Sequence, residues 1–258
     1  MMRRRWSQAA PPIAAVLLLL VLWQLGVAIF KVESWILPSP LAVAREAWNH
    51  APALLEHTWA TLQLTLIGFS IGAAFGLLVA MLLHPFPLVK RALYPLIIIS
   101  QNVPTIVLLP LLMIWFGFGL LPKIVVITLV CFFPITVAAM DGLMQTDRTM
   151  LRYMRMAGAS RSQLFWKLEM PSALPSIFSG LKIAATYSVM SSIVAEWMGT
   201  DKGIGYYMTM QKAAFRTDRM FVAIFIIIAL CILLFTIVQA VERRVIHWQA
   251  QRSEQGEG

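Results

Sequence analysis

Residues Thr149 to Pro175 read T-M-L-R-Y-M-R-M-A-G-A-S-R-S-Q-L-F-W-K-L-E-M-P-S-A-L-P. Met150, Met154 and Ala157 recur at helical spacing and Leu164, Phe165 and Leu168 repeat the pattern, while Arg152, Arg155, Arg161 and Lys167 fill the polar positions. Gly158 falls between the two apolar clusters, where it can end one short helix and turn the chain into the next; Pro171 and Pro175 are expected to close the second. The residues alone read as a basic amphipathic helix on anionic lipid, or as a surface offered to a cytoplasmic partner. The long apolar runs on either side decide the fold: an all-α membrane protein, with this stretch as its central cytoplasmic segment.

The chain has 258 residues, 59% hydrophobic and 13% charged, and a mean hydropathy of +0.76. That leaves too little polar surface to cover a soluble globule of this size. The net charge of +9 sits in short clusters at the ends of apolar runs, with no zinc-finger, RNA-recognition or helix-turn-helix pattern, so nucleic acid is not an expected partner. Cys131 and Cys231 lie inside apolar runs without C-x-x-C spacing and read as small core residues, so no metal site is expected.

Six runs of membrane length are expected, at about 10–30, 58–84, 92–116, 120–141, 176–198 and 221–242. They form one transmembrane domain over 1–258, with a first helix at 10–30, core helices over 58–242, the cytoplasmic segment at 149–175 and a disordered tail at 250–258. Arg3, Arg4 and Arg5 before the first run resemble a secretory leader, but the run is long enough to span and no small-x-small cleavage site follows. With an even number of spans, 13 of the 21 Lys and Arg fall on the side of the N-terminus, which predicts cytoplasmic termini.

Between the first two runs, Trp35 to Val43 followed by Arg45, Glu46, Trp48 and Trp59 reads as a connector with aromatic anchors, a short interfacial helix being the alternative. In the second run Gly68, Gly72, Gly76 and Ala80 make a stripe without side chains, suited to close helix packing. The third run is interrupted by Pro95, by Gln101-Asn102-Val103-Pro104-Thr105 and by Pro110. Freed backbone at membrane depth must face protein or a water-filled cavity. Gln101, Asn102 and Thr105 are therefore candidates for a transport path, against a kinked helix whose amides satisfy their own backbone. The fifth run carries Gly180, Ala184, Ser188, Ser191, Ser192 and Ala195, then Glu196 near its external end. Intramembrane acids often mark function, yet Glu196 can equally brace the loop that follows it.

These residues resemble the membrane permease subunits of bacterial ATP-binding-cassette importers, in the group serving nitrate, taurine, alkanesulfonates and thiamine-related pyrimidines. The family motif E-A-A, three residues, Gly, nine residues, Ile, any residue, Leu-Pro places its glycine at Gly158, its Ile at Leu168 and its Leu-Pro at Met170-Pro171; the E-A-A positions are Arg152, Tyr153 and Met154. Further similarity runs through Leu37–Pro40, Val107–Gly119, Gly158–Ser160, Pro171–Pro175 and Ala195–Gly205.

The resemblance implies a type I importer permease fold whose coupling segment docks on a separate cytosolic ATPase through Met154, Ala157, Gly158, Ala159, Ser160, Leu164, Phe165, Leu168 and Pro171. It also implies two ATPase copies, a second permease copy forming a homodimeric pathway, a periplasmic or lipid-anchored solute-binding protein, and residence in the bacterial inner membrane. ATP and Mg would bind the partner, since this chain has no G-x-x-x-x-G-K-[ST] and is not expected to be an enzyme. A secondary transporter would show broken helices in both halves and buried acids. An intramembrane enzyme needs a paired nucleophile and base, but the four histidines are scattered at run ends. The solute is expected to be a small anion or heterocycle, with a thiamine-precursor pyrimidine favoured.

Overall fold

The computed structural model describes residues 2–247, apart from the side chains of residues 2–10, 12 and 105. The expected tail at 250–258 lies outside the described residues. In chain order the helices are α1 (Met2–Ile29), α2 (Pro40–Asn49), α3 (Ala51–Leu83), α4 (Pro87–Ser100), α5 (Thr105–Phe116), α6 (Leu120–Met144), α7 (Arg148–Met156), α8 (Arg161–Leu164), α9 (Met170–Glu196), α10 (Ile204–Ala213) and α11 (Thr217–Val245). A π-helical turn, Phe165–Glu169, joins α8 to α9. Helices dominate because backbone groups in hydrocarbon have no water to bond, and a helix satisfies them within one segment.

Four helical stretches among the described residues are long and apolar enough to span: Ala51–Leu83, Leu120–Met144, Arg161–Glu196 and Thr217–Val245. The other two of the six expected runs are shorter as apolar helices, Ile13–Ile29 and Ile106–Phe116. The third run is two helices joined by the turn at 101–104; Pro104 caps α5, whereas Pro95 and Pro110 are carried inside helices.

The core is α3, α6 and α9, with Leu64, Ile127, Cys131, Ile135 and Ala184 buried together. The glycine stripe of α3 lies on α6: a methyl group added at Gly72 would sit 2.7 Å from the Thr128 carbonyl oxygen and 2.7 Å from Cys131 Cβ. Glycines work the α6–α9 crossing from both sides, with Gly142 against Ala173 and Gly180 against Ala138. Small residues at such contacts let helix backbones approach closely where lipid supplies no hydrophobic driving force. At one end of the bundle Lys182 of α9 bonds Glu242 of α11 at 2.8 Å.

The connector after α1 is helical: Ser39 caps α2 by accepting from the Ala42 N–H, Pro40 opens it and Val43 is buried. Trp48 is exposed on α2, whereas Trp59 belongs to α3, which begins at Ala51, several residues before the expected run. Glu46 accepts from Arg216 at 3.0 Å and Arg219 at 2.9 Å, tying α2 to the start of α11. The C-terminal half of α1 rests on α11 through Trp23, whose ring lies 5.4 Å from that of Phe221; most of its apolar side chains from Ile13 to Ile29 are exposed.

Candidate translocation path and coupling segment

The turn at 101–104 and the middle of α9 enclose a cavity of about 360 Å³, lined among others by Gln101, Asn102, Phe133, Tyr187, Met190 and Ser191, with no charged residue in its lining. Asn102 spends its amide N–H groups on the end of α4, donating to the Ile98 carbonyl at 3.0 Å. Ser191 Oγ is buried with no hydrogen-bond partner. The side chains lining this space are therefore neutral, amides and a hydroxyl beside an aromatic and thioether wall. The Thr105 side chain lies outside the described residues.

Ser188 and Ser192 do not join this lining. Both are fully buried and bond their own helix, Ser188 to the Ala185 carbonyl at 2.7 Å and Ser192 to the Ser188 carbonyl at 2.8 Å. Ser192 also accepts from Thr65 Oγ1 at 2.8 Å, so this face of α9 is glued to α3. The Ser188 and Ser192 hydroxyls have the same residue type as Ser191 and nearly the same position, but 3.6 residues per turn sends them to another face.

Glu196 is 2% exposed and turned onto the loop that follows α9, accepting from the Gly205 N–H at 2.8 Å. Gly203, at φ +114°, lies against its carboxylate, where any side chain would collide. Other groups hold the same loop: the Gly203 N–H donates to His57 Nδ1 at 3.1 Å, the Ile204 N–H to Thr61 Oγ1 at 2.8 Å, and Lys123 Nζ to the Gly199 carbonyl at 2.8 Å. Lys202 bonds Glu56 at 2.8 Å, and that hydrogen bond raises the ammonium pKa above its ordinary value. His57, Thr61 and Lys123 were not singled out from sequence. The available signal was a glycine-rich loop whose N–H groups need acceptors, with polar side chains at the same level of neighbouring spans.

In the candidate coupling segment, Asp147 caps α7 by accepting from the Thr149 and Met150 N–H groups. Gly158 adopts φ +83°, and Ser160 with Gln163 forms a capping box at the start of α8. The helix then runs on as one stretch from Arg161 to Glu196, so Pro171 and Pro175 do not close it. Proline cannot donate to the carbonyl four residues back and its ring crowds that group; the wider π turn immediately before Met170-Pro171 takes up the crowding.

Leu164 is 5% exposed and turned into the chain, and Phe165 packs beside the α3–α6–α9 core. Leu168, Pro171, Met154 and Ala159 are partly covered; Ala157, Gly158 and Ser160 are exposed. The large apolar groups presented outward are Met150, Tyr153 and Met156 on α7, the last 83% exposed, and Trp166 in the π turn.

Three relatives resemble most of the chain. A probable ABC transporter permease protein of Haemophilus influenzae is 36% identical over 87% of this chain and 91% of its own. The formylaminopyrimidine transport permease protein ThiX of Halalkalibacterium halodurans is 34% identical over 96% of this chain and 100% of its own. The riboflavin transport system permease protein RibX of Chloroflexus aurantiacus is 30% identical over 96% and 93%. Among solved structures, the inward-facing MetNI methionine ABC transporter superposes with a TM-score of 0.62 at 21% identity, covering 77% of this chain and 97% of that one. The model of the binding-protein-dependent transport system inner membrane component family matches residues 72–247. With an all-α fold like that of type I importer permeases around a polar break in the membrane, the chain belongs to that family and is a permease subunit of an ABC importer for small solutes.

Proposed function

We propose that the solute is a small uncharged heterocycle of the pyrimidine class, and that it passes between two copies of this chain along the wall formed by the 101–104 turn and α9. The observation that carries this is the cavity lined by Gln101, Asn102 and Ser191, whose Oγ has no partner and whose surroundings hold no charged residue. Taurine, sulfonates and nitrate are charged; desolvating them without a counter-charge costs several kcal/mol or more, in line with the order-of-magnitude price of an unpaired buried ion. A pyrimidine asks instead for a few hydrogen bonds beside an aromatic wall, which Tyr187 and Phe133 supply. The 34% identity to a formylaminopyrimidine permease favours the same reading.

In this proposal the N-terminus, α7 and the C-terminus face the cytoplasm, and two copies of a separate ATPase grip α7. Closure of the ATPase pair moves the two permeases as rigid bodies. The gripped surface is Met150, Tyr153 and Met156 with Ala157 and Gly158; Leu164 and Phe165 hold the segment to its own bundle.

The test is uptake by proteoliposomes carrying the permease, its cognate ATPase and its binding protein, with formylaminopyrimidine, taurine and nitrate offered separately. Ser191→Val with Asn102→Leu should lower pyrimidine uptake by about tenfold while leaving assembly intact, since an unpaired polar group in the site is worth about 1–3 kcal/mol. Unchanged uptake kinetics, or uptake of taurine in place of the pyrimidine, would overturn the reading.

A further inference from the structure

A second groove, of about 1030 Å³, opens between the end of α3 and the turn from α7 into α8. One wall is apolar: Leu78, Met81 and Leu82, from the last turns of a membrane span. Leu78 and Leu82 are half exposed, so this wall is open to the surrounding hydrocarbon. The other wall is Arg155 and Arg161, with Trp166 beside them. Neither guanidinium has an ion pair or side-chain hydrogen bond among the described residues. Glu169, the acid in the lining, is engaged by His84 Nε2 at 2.9 Å. The other nitrogen of that ring, Nδ1, is buried with no partner.

We infer that this groove is a binding site for an anionic phospholipid, with its headgroup phosphate on Arg155 and Arg161 and an acyl chain along Leu78, Met81 and Leu82. The gradient from exposed apolar wall to unpaired arginines matches a lipid from tail to head, and basic pockets between spans at the cytoplasmic surface suit anionic headgroups. A soluble partner is a poorer match, because the wall of Leu78, Met81 and Leu82 is one that a cytosolic protein would reach only by entering hydrocarbon. Two arginines also offer the forked geometry that a phosphate accepts. The lipid would bridge the end of α3 to the coupling segment and fix the angle at which α7 is presented. The inference rests on the proposed cytoplasmic placement of this end, but not on the identity of the solute.

The full-length permease in nanodiscs of phosphatidylcholine, with or without phosphatidylglycerol, tests it by native mass spectrometry of retained lipid and by thermal stability. Phosphatidylglycerol should be retained and should raise the melting temperature. Arg155→Gln with Arg161→Gln should weaken that preference about tenfold, while Arg152→Gln, on the same segment but outside the groove, should retain it. Circular dichroism and size exclusion confirm that the variants are folded. Equal retention of both lipids, equal loss in Arg152→Gln, or full stabilisation by inorganic phosphate without lipid would each overturn the inference. So would protection of Ser162→Cys from maleimide by the cognate ATPase and not by phosphatidylglycerol. Labelling of Ser162→Cys by impermeant maleimide from outside intact cells would overturn the orientation instead, and is read separately from lipid selectivity in nanodiscs.

Discussion

A methyl group is the smallest change that separates the two kinds of glycine in this chain. At Gly72 the added carbon would press on the Thr128 carbonyl oxygen and on Cys131 Cβ, both at 2.7 Å, and a backbone oxygen in the middle of α6 cannot rotate away. At Gly26, in α1, the same carbon meets nothing within 4 Å. Gly72→Ala should therefore cost about 1–3 kcal/mol by overpacking, seen as a fall of several degrees in the melting temperature of the detergent-solubilised protein. Gly26→Ala should be neutral or slightly stabilising, since alanine is the better helix former by about 1 kcal/mol. Equal melting temperatures for both variants would mean that the α3–α6 contact yields without cost.

At the scale of elements, the elbow between α7 and α8 carries the coupling proposal. Gly158 holds a left-handed backbone at φ +83°, yet a Cβ there would meet nothing within 4 Å, and the residue is exposed. Gly158→Trp should therefore insert and fold, at a cost of about 1–2 kcal/mol for the backbone conformation, while placing an indole on the proposed ATPase-facing surface. Loss of uptake with ATP hydrolysis retained is the expected result in reconstituted vesicles; normal solute-driven ATPase and uptake would count against coupling at this elbow. The elbow was legible in sequence because a glycine between two amphipathic clusters has few other uses. The fate of Pro171 and Pro175 was not, because a proline stops a helix only where the turn before it cannot widen, and the apolar period carries no signal for the π turn at Phe165–Glu169. Leu164 is buried in the chain's own bundle and Phe165 partly covered, and the helical period does not foretell this: it shows which residues share a face, not whether that face meets the chain's own bundle or another protein. The same limit applies to α9, where Ser191 lines the cavity while Ser188 and Ser192 bond backbone and Thr65.

For the molecule as a whole, the cavity at the 101–104 turn poses a question of cover. Gln101 and Asn102 are exposed, Ser191 lacks a partner, and Tyr187 and Met190 beside them are about half exposed. Amide and hydroxyl groups at bilayer depth are not left facing lipid; they line water or meet protein. A second copy related by a two-fold axis satisfies this requirement, and in such an isologous interface residues near the axis meet their own counterparts. Met190→Cys, in a background carrying Cys231→Ser, should therefore cross-link to itself under mild oxidation or with a short bismaleimide, giving a dimer band in native membranes. Ile232→Cys, 61% exposed on α11, which contributes nothing to the cavity lining, should remain monomeric under the same treatment. A dimer through Ile232→Cys and none through Met190→Cys would move the seam to α11 and leave the polar cavity facing something other than a second copy. A dimer through Met190→Cys whose yield falls when the solute and its binding protein are supplied would tie the seam to the transport cycle, because alternating access requires the two walls to part around the cavity.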